Sequence, residues 1–205
     1  RLMKCHEVLE ELQKQLAIAL KECRPSEHSQ VAHVPHLIGL EGGVETFLYE
    51  AKNFLRDLTR VLAIFYREPF RNASQFCGAG QNKIIPWAEN RFGQDDPLVK
   101  MLKEDEPWIA ELVYKRNAAE HPGSESGMLT IRNFEPTSDG KICGPTWHRT
   151  QHNPTPVLAD LEALCRNLLT FAEELLVFGC IEKCLSNSLV TFAELPEQKR
   201  RPECP

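Results

Sequence analysis

The residues best suited by type and spacing to do chemistry lie in one stretch, residues 114–122. Arg116 falls on the same helical face as Leu112 and Val113, because steps of three and four residues bring side chains into line. An arginine on an apolar stripe is unusual unless it is paired or faces a cleft. Arg116 therefore offers a cation for an anionic group.

Two further polar side chains accompany this arginine. In an unbroken helix, His121 would be rotated by about 140° from Arg116. Pro122 disfavours helical geometry at the preceding residue, so the imidazole can turn back toward the arginine. Asn117 adds a neutral donor and acceptor alongside. The segment thus supplies a cation, a group that titrates near neutral pH and a polar positioning group within two helical turns.

A purely structural role for the same residues is the alternative. His121 would then cap carbonyl groups at a helix C-terminus, and Arg116 would pair with a carboxylate. The residues alone leave both interpretations open.

Amphipathic stripes predict the helices that must position these side chains. The most regular stripe begins at Val44 and ends at Phe65. Pro97 and Pro107 each suit the first turn of a helix and predict two separate helices, the second of which ends at Pro122. Thr155 and Pro156 open the last long helix. The predicted helices cover residues 1–24, 44–65, 98–102, 107–121 and 157–185.

Two stretches interrupt these helices. Residues 67–96 contain Gly, Asn, Gln and isolated aromatic residues, which predicts a long loop. Residues 128–134 and 141–149 predict an antiparallel hairpin with a turn at Asp139-Gly140. The predicted fold class is therefore mainly α: a bundle of four to five helices with a small antiparallel β insertion.

The overall composition narrows the class of protein further. Hydrophobic residues make up 42% of the 205 residues, which is enough for a buried core. A net charge of −5 excludes nucleic-acid binding driven by a high overall positive charge, although local contacts with phosphate remain open. There is no apolar run of membrane-spanning length and no signal peptide, so we expect a cytoplasmic protein without membrane association. Its eight dispersed cysteines are then expected to be reduced.

The order Arg116-Asn117, three residues, then His121 resembles the motif of the HEPN superfamily (higher eukaryotes and prokaryotes nucleotide-binding domain). That motif is an arginine followed by a polar residue, with a histidine a few places beyond. The helix that contains residues 50–55 is also similar to the long early helix of such domains. The predicted organisation is an N-terminal helix (1–24), a HEPN-like domain (40–185) with insertions at 67–96 and 123–153, and a short strand with a loose tail (186–205).

The resemblance implies a homodimer whose two motifs meet at a cleft and, in many members, metal-independent cleavage of RNA. Carried over by position, Arg116 would stabilise the charge that develops on the scissile phosphate. His121 would act as general acid or base on the ribose 2′-hydroxyl and the leaving 5′-oxygen. Asn117 would orient the histidine or the phosphate. The alternative is a HEPN-like protein without catalysis that binds RNA or a nucleotide, or serves as a scaffold.

The neighbouring Tyr114, Lys115 and Glu120 are assigned to binding in the same prediction, and neither a cofactor nor a metal is expected. Toxin-type members often carry a tyrosine two places beyond the histidine, where this chain has Gly123. This chain therefore lacks the regulatory tyrosine that a toxin-type member would carry at that place.

A metal site is the remaining chemical candidate. Cys143, His148 and His152 could supply three ligands. Zinc sites usually show tighter cysteine spacing, so we expect these residues to belong to a polar loop instead.

Overall fold

Long helices dominate the computed structural model, which describes residues 1–22, 34–77, 82–137 and 141–183. The described part is mainly helical with a small antiparallel sheet, as the sequence predicts. A single turn of 3₁₀ helix precedes the third helix. The helices are α1 (Leu2–Glu22), α2 (Leu40–Tyr66), the 3₁₀ turn (Ala73–Phe76), α3 (Ile84–Phe92), α4 (Pro97–Glu120) and α5 (Val157–Lys183).

Helix α2 lies at the centre of the bundle and contacts α1, α4 and α5. Its predicted apolar stripe is buried, and Phe47, Leu48 and Leu55 have no exposed surface. Full burial of such a side chain stabilises the fold by about 1.5–3 kcal/mol. This packing fixes α4 against α2, and so fixes the surroundings of the predicted motif.

Helix α4 begins where the sequence predicts but runs further. The Asp96 side chain accepts a hydrogen bond of 2.9 Å from the backbone N–H of Leu98, and Pro97 occupies the first turn. The prediction that a new helix begins at Pro107 is wrong, because Pro107 lies inside α4. Buried packing on both sides of it, at Leu102 and Ile109, holds the two halves in one helix despite the missing N–H.

The predicted loop over residues 67–96 is wrong in part, because it contains the 3₁₀ turn and α3. Helix α3 has 9 residues, too few to form a clear stripe, and Pro86 lies within it. Its order comes from tertiary packing instead, since Ile84 and Ala88 are fully buried.

The predicted hairpin is confirmed. β1 (Leu129–Arg132) pairs antiparallel with β4 (Thr146–Arg149), so that Ile131 lies opposite Trp147. β2 (Glu135–Pro136) continues the hairpin with β3 (Ile142–Cys143). The predicted turn at Asp139-Gly140 lies outside the described residues.

A third strand, β5 (Thr155–Pro156), pairs with β4 and completes the sheet order β1-β4-β5. The predicted start of the last helix at residue 157 is confirmed, because α5 begins at Val157 directly after this strand. Trp147 is fully buried, and its Nε1 donates to Asp160 of α5 at 2.6 Å. This bond fixes the sheet to α5.

Three further predictions fall outside the described residues: the end of the first helix at residues 23–24, the end of the last helix at residues 184–185, and the strand and tail over 186–205. Within the described ranges, no helix is both long and apolar enough to cross a membrane.

Candidate functional site

The predicted motif lies at the C-terminal end of α4. Arg116 and Asn117 are in its last turns, and α4 ends at Glu120. His121 has left helical geometry (φ −129°, ψ 69°), as expected for a residue that precedes a proline. Its backbone N–H still donates to the Asn117 carbonyl at 2.8 Å, so the position of the histidine is fixed by the helix end.

One carboxylate joins two of the three predicted catalytic side chains, Arg116 and His121. The Oε2 oxygen of Glu120 forms an ion pair with Nη1 of Arg116. The same oxygen lies 3.2 Å from Nε2 of His121. The structure therefore brings the guanidinium and the imidazole to a common point. The pairing of Arg116 with a carboxylate is also what the structural alternative predicts.

The two side chains differ in their access to solvent. The side chain of Arg116 is 17% exposed, and that of His121 is 66% exposed. Burial lowers the pKa of Arg116, although a guanidinium stays charged at neutral pH. Arg116 lines a groove of about 230 Å³ between α2 and α4, together with Glu45, Tyr49 and Glu120. We call it the α2–α4 groove.

A second cation, which the sequence analysis does not predict, lies beside the motif. Nζ of Lys52 on α2 donates a 2.7 Å hydrogen bond to the side-chain oxygen of Asn117. Burial, and then the charge of Arg116, lowers the pKa of Lys52 to about 8. Among the described residues no carboxylate forms an ion pair with Lys52. The motif therefore holds two cations, Lys52 and Arg116, for one paired carboxylate.

Two of the three predicted binding residues lie elsewhere. Lys115 is buried, with its Nζ 3.9 Å from the centre of the Trp147 ring. The ring of Tyr114 lies 5.1 Å from the guanidinium carbon of Arg149. Glu120 alone of the three predicted binding residues contacts Arg116. Successive helical residues point about 100° apart, so Lys115 and Arg116 face different neighbours.

The candidate metal ligands do not form a site in the structure. Cys143 is exposed on β3, while His148 lies on β4 and His152 beyond it. Over the described residues, no group of His, Cys, Asp and Glu side chains is arranged to hold a metal ion. By their chemical nature, the side chains of the motif could bind an oxyanion between Arg116 and His121 and transfer a proton at the imidazole.

Comparison of the chain with protein-family models, with curated proteins and with solved structures gave no match.

Proposed function

We propose that this protein is a metal-independent endoribonuclease of the HEPN type, which cleaves RNA phosphodiesters at a cleft shared by two copies of the chain. The observation that carries the proposal is the shared contact at Glu120. Its Oε2 oxygen meets both Arg116 and His121. A phosphate oxygen in the same place would contact a cation and a proton-transfer group at once.

Glu120 can be displaced by such an oxygen. Its side chain is 42% exposed, and it pairs with Arg116 at a spacing of four residues along α4. Pairs of this kind contribute only about 0.3–0.5 kcal/mol. A phosphate can offer the guanidinium two parallel hydrogen bonds, whereas Glu120 pairs with Arg116 through one oxygen. When RNA binds, a phosphate would therefore replace the Glu120 carboxylate as the anionic partner of Arg116.

The proposed reaction follows from the groups present. The 2′-oxygen attacks phosphorus as its proton passes to His121, and the bond from phosphorus to the 5′-oxygen breaks. The leaving 5′-oxygen takes a proton on the opposite side of the phosphate, which a single histidine does not reach. His121 of a second copy would supply it. The products are a 2′,3′-cyclic phosphate and a free 5′-hydroxyl.

Arg116 and Lys52 would oppose the negative charge that grows on the phosphate oxygens. Removal of one such donor typically costs two to three orders of magnitude in rate, or about 3–4 kcal/mol. Asn117 would keep Lys52 in place through their 2.7 Å hydrogen bond. The structure thus supplies a candidate for each role except the second histidine.

The product ends test the proposal. The wild-type protein, in EDTA, should cleave single-stranded RNA to fragments with 2′,3′-cyclic phosphate and 5′-hydroxyl ends. The same oligonucleotide with 2′-deoxyribose throughout should remain intact, because it has no attacking hydroxyl. Fragments with 3′-hydroxyl and 5′-phosphate ends, or cleavage of the deoxy strand, would contradict the mechanism.

A non-catalytic HEPN-like binding or scaffold protein is the second candidate. It is favoured by the ion pair that occupies Arg116 and by the overall charge of −5. This alternative predicts RNA or nucleotide binding without product formation in the same assay.

A further inference from the structure

A second pocket, of about 390 Å³, opens between α4, β4 and α5. We call it the α4–α5 pocket. None of the described residues that line it also lines the α2–α4 groove. Its volume falls in the range of about 300–1,000 Å³ that is typical of small-molecule sites.

Four charged side chains in the wall of this pocket neutralise one another. Arg149 donates to Glu111 at 2.8 Å, and Lys115 lies 3.6 Å from both Glu111 and Asp160. Lys115 and Arg149 are more than nine-tenths buried as residues. Both cations therefore already have anionic partners. An incoming ion of either sign would have to break one of these pairs, which favours a neutral ligand.

Neutral polar side chains also line this wall. Nδ1 of His148 is buried without a hydrogen bond to any described residue. A buried polar atom in that state costs about 1–3 kcal/mol unless water or a ligand satisfies it. Asn153, which is exposed, and Asn167, which is half-buried, also line the pocket, and neither side chain forms a hydrogen bond within the described ranges. A carboxamide presents a donor and an acceptor side by side.

An aromatic ring with a fixed orientation completes the wall. Nε1 of Trp108 donates to Asp105 at 2.6 Å, and its ring packs edge to face against Phe171. Trp108 lines the pocket together with the apolar side chains of Leu112 and Leu164. The ring is held before any ligand arrives, so it offers a flat stacking surface at little cost in entropy.

We infer that the α4–α5 pocket binds a small, neutral, planar heterocycle with a donor and an acceptor on adjacent atoms. The ring stacks on Trp108, and its amide-like edge pairs with the carboxamide of Asn167. This inference does not depend on the proposed nuclease, since the pocket shares none of its residues.

Uracil and nicotinamide are suitable probes, since both are neutral, flat and carry an amide edge. Titration into ¹⁵N-labelled wild-type protein should shift the indole N–H signal of Trp108 saturably, with a Kd of about 1 mM or below. Asn167→Leu should weaken binding at least about tenfold, because it removes both hydrogen bonds of the carboxamide. Asn167→Asp, which keeps the size but loses the donor, should weaken it similarly. Asn90→Leu removes an exposed carboxamide from α3 and should leave the Kd unchanged.

Inorganic phosphate separates a neutral-ligand site from an anion site. An excess of phosphate should neither shift the Trp108 signal nor compete with uracil. The inference is overturned if neither probe saturates, if Asn90→Leu weakens binding as much as Asn167→Leu, or if phosphate displaces the probes. Arg116→Ala is the control that separates the two sites, and it should leave the Kd of uracil unchanged.

Discussion

Arg116 and His121 meet at a single atom, the Oε2 oxygen of Glu120, which lies 3.2 Å from Nε2 of the histidine. Glu120 is thus an internal anion at the point where the proposed mechanism needs a phosphate oxygen. Its side chain is 42% exposed, so an incoming phosphate can displace it from Arg116. If this carboxylate competes with RNA for Arg116, then removal of its charge should raise the affinity of the protein for RNA.

Glu120→Gln should therefore bind RNA about twofold more tightly, because the competing ion pair contributes about 0.3–0.5 kcal/mol. The affinity can be measured by fluorescence anisotropy with a 2′-deoxy oligonucleotide, which the proposed reaction leaves intact. Glu162→Gln is the matched control, since Glu162 lies exposed on α5 and pairs with Arg166 at 3.8 Å. Weaker binding by Glu120→Gln would show that Glu120 does not occupy the phosphate position.

The buried charge of Lys52 should make stability depend on pH. Its pKa is about 8 in the folded chain, against an ordinary value of 10.5. Between these values the unfolded chain binds a proton that the folded chain lacks, so the free energy of unfolding rises with pH. The penalty is complete below about 8 and is relieved as the pH rises toward 10.5.

Urea titrations of wild type and Lys52→Met across that pH range measure this contribution. Subtracting the variant removes the titration of all other groups, and the remaining difference should grow in favour of the wild type as pH rises. Lys14→Met, which removes an exposed lysine from α1, is the control. A difference that stays flat for Lys52→Met would mean that Lys52 is not held as a half-buried cation.

Helices α2 and α5 pack closely at Gly179 of α5. A Cβ atom added there would overlap the ring of Phe65 on α2. Gly179→Ala should lower the free energy of unfolding by about 1–2 kcal/mol, because the overpacking outweighs the gain in helix propensity. Gly42→Ala in α2 meets nothing within 4 Å and should instead stabilise by about 0.5–1 kcal/mol. Stabilisation by both variants would rule out tight packing of α2 on α5.

A composite site requires a dimer, and we expect one at micromolar concentration by light scattering. The predicted interface includes residues 107–121 and the neighbouring face of α2, where Tyr49 is 52% exposed. Tyr49→Glu should shift the protein toward monomer, because it places a charge in that interface. Met3→Glu, at an exposed site on α1, should not. A monomeric wild type would remove both the dimer and the second histidine.

The sequence predicts those parts of the fold that depend on local pattern. The stripe of α2 is continuous over many turns, and Pro122 stops α4 wherever the helix packs. Helix α3 is not predicted from the sequence because it is short and its order depends on contacts with residues that are distant in the chain. The predicted helix start at Pro107 is wrong because buried packing on both sides of this proline outweighs its local tendency to interrupt a helix.

The candidate site divides in the same way. Arg116, Asn117 and His121 are close in the chain, so their proximity follows from helical geometry and one proline. Lys52 reaches Asn117 across 65 positions of sequence. No local sequence pattern shows which polar face of α2 contacts α4. The α4–α5 pocket likewise depends on β4 and α5 meeting α4, which residue spacing does not specify.

The decisive measurement is the rate of RNA cleavage in EDTA by wild type, Arg116→Ala and His121→Ala, with melting temperatures taken on the same preparations. Each variant should lose at least about 100-fold in rate, the lower end of what a positioned acid or base contributes. Each should remain folded and dimeric, and Arg60→Ala, at an exposed arginine on α2, should retain full activity. Unchanged turnover in either motif variant would contradict the assignment of these residues, and a wild type without cleavage would favour the binding protein instead.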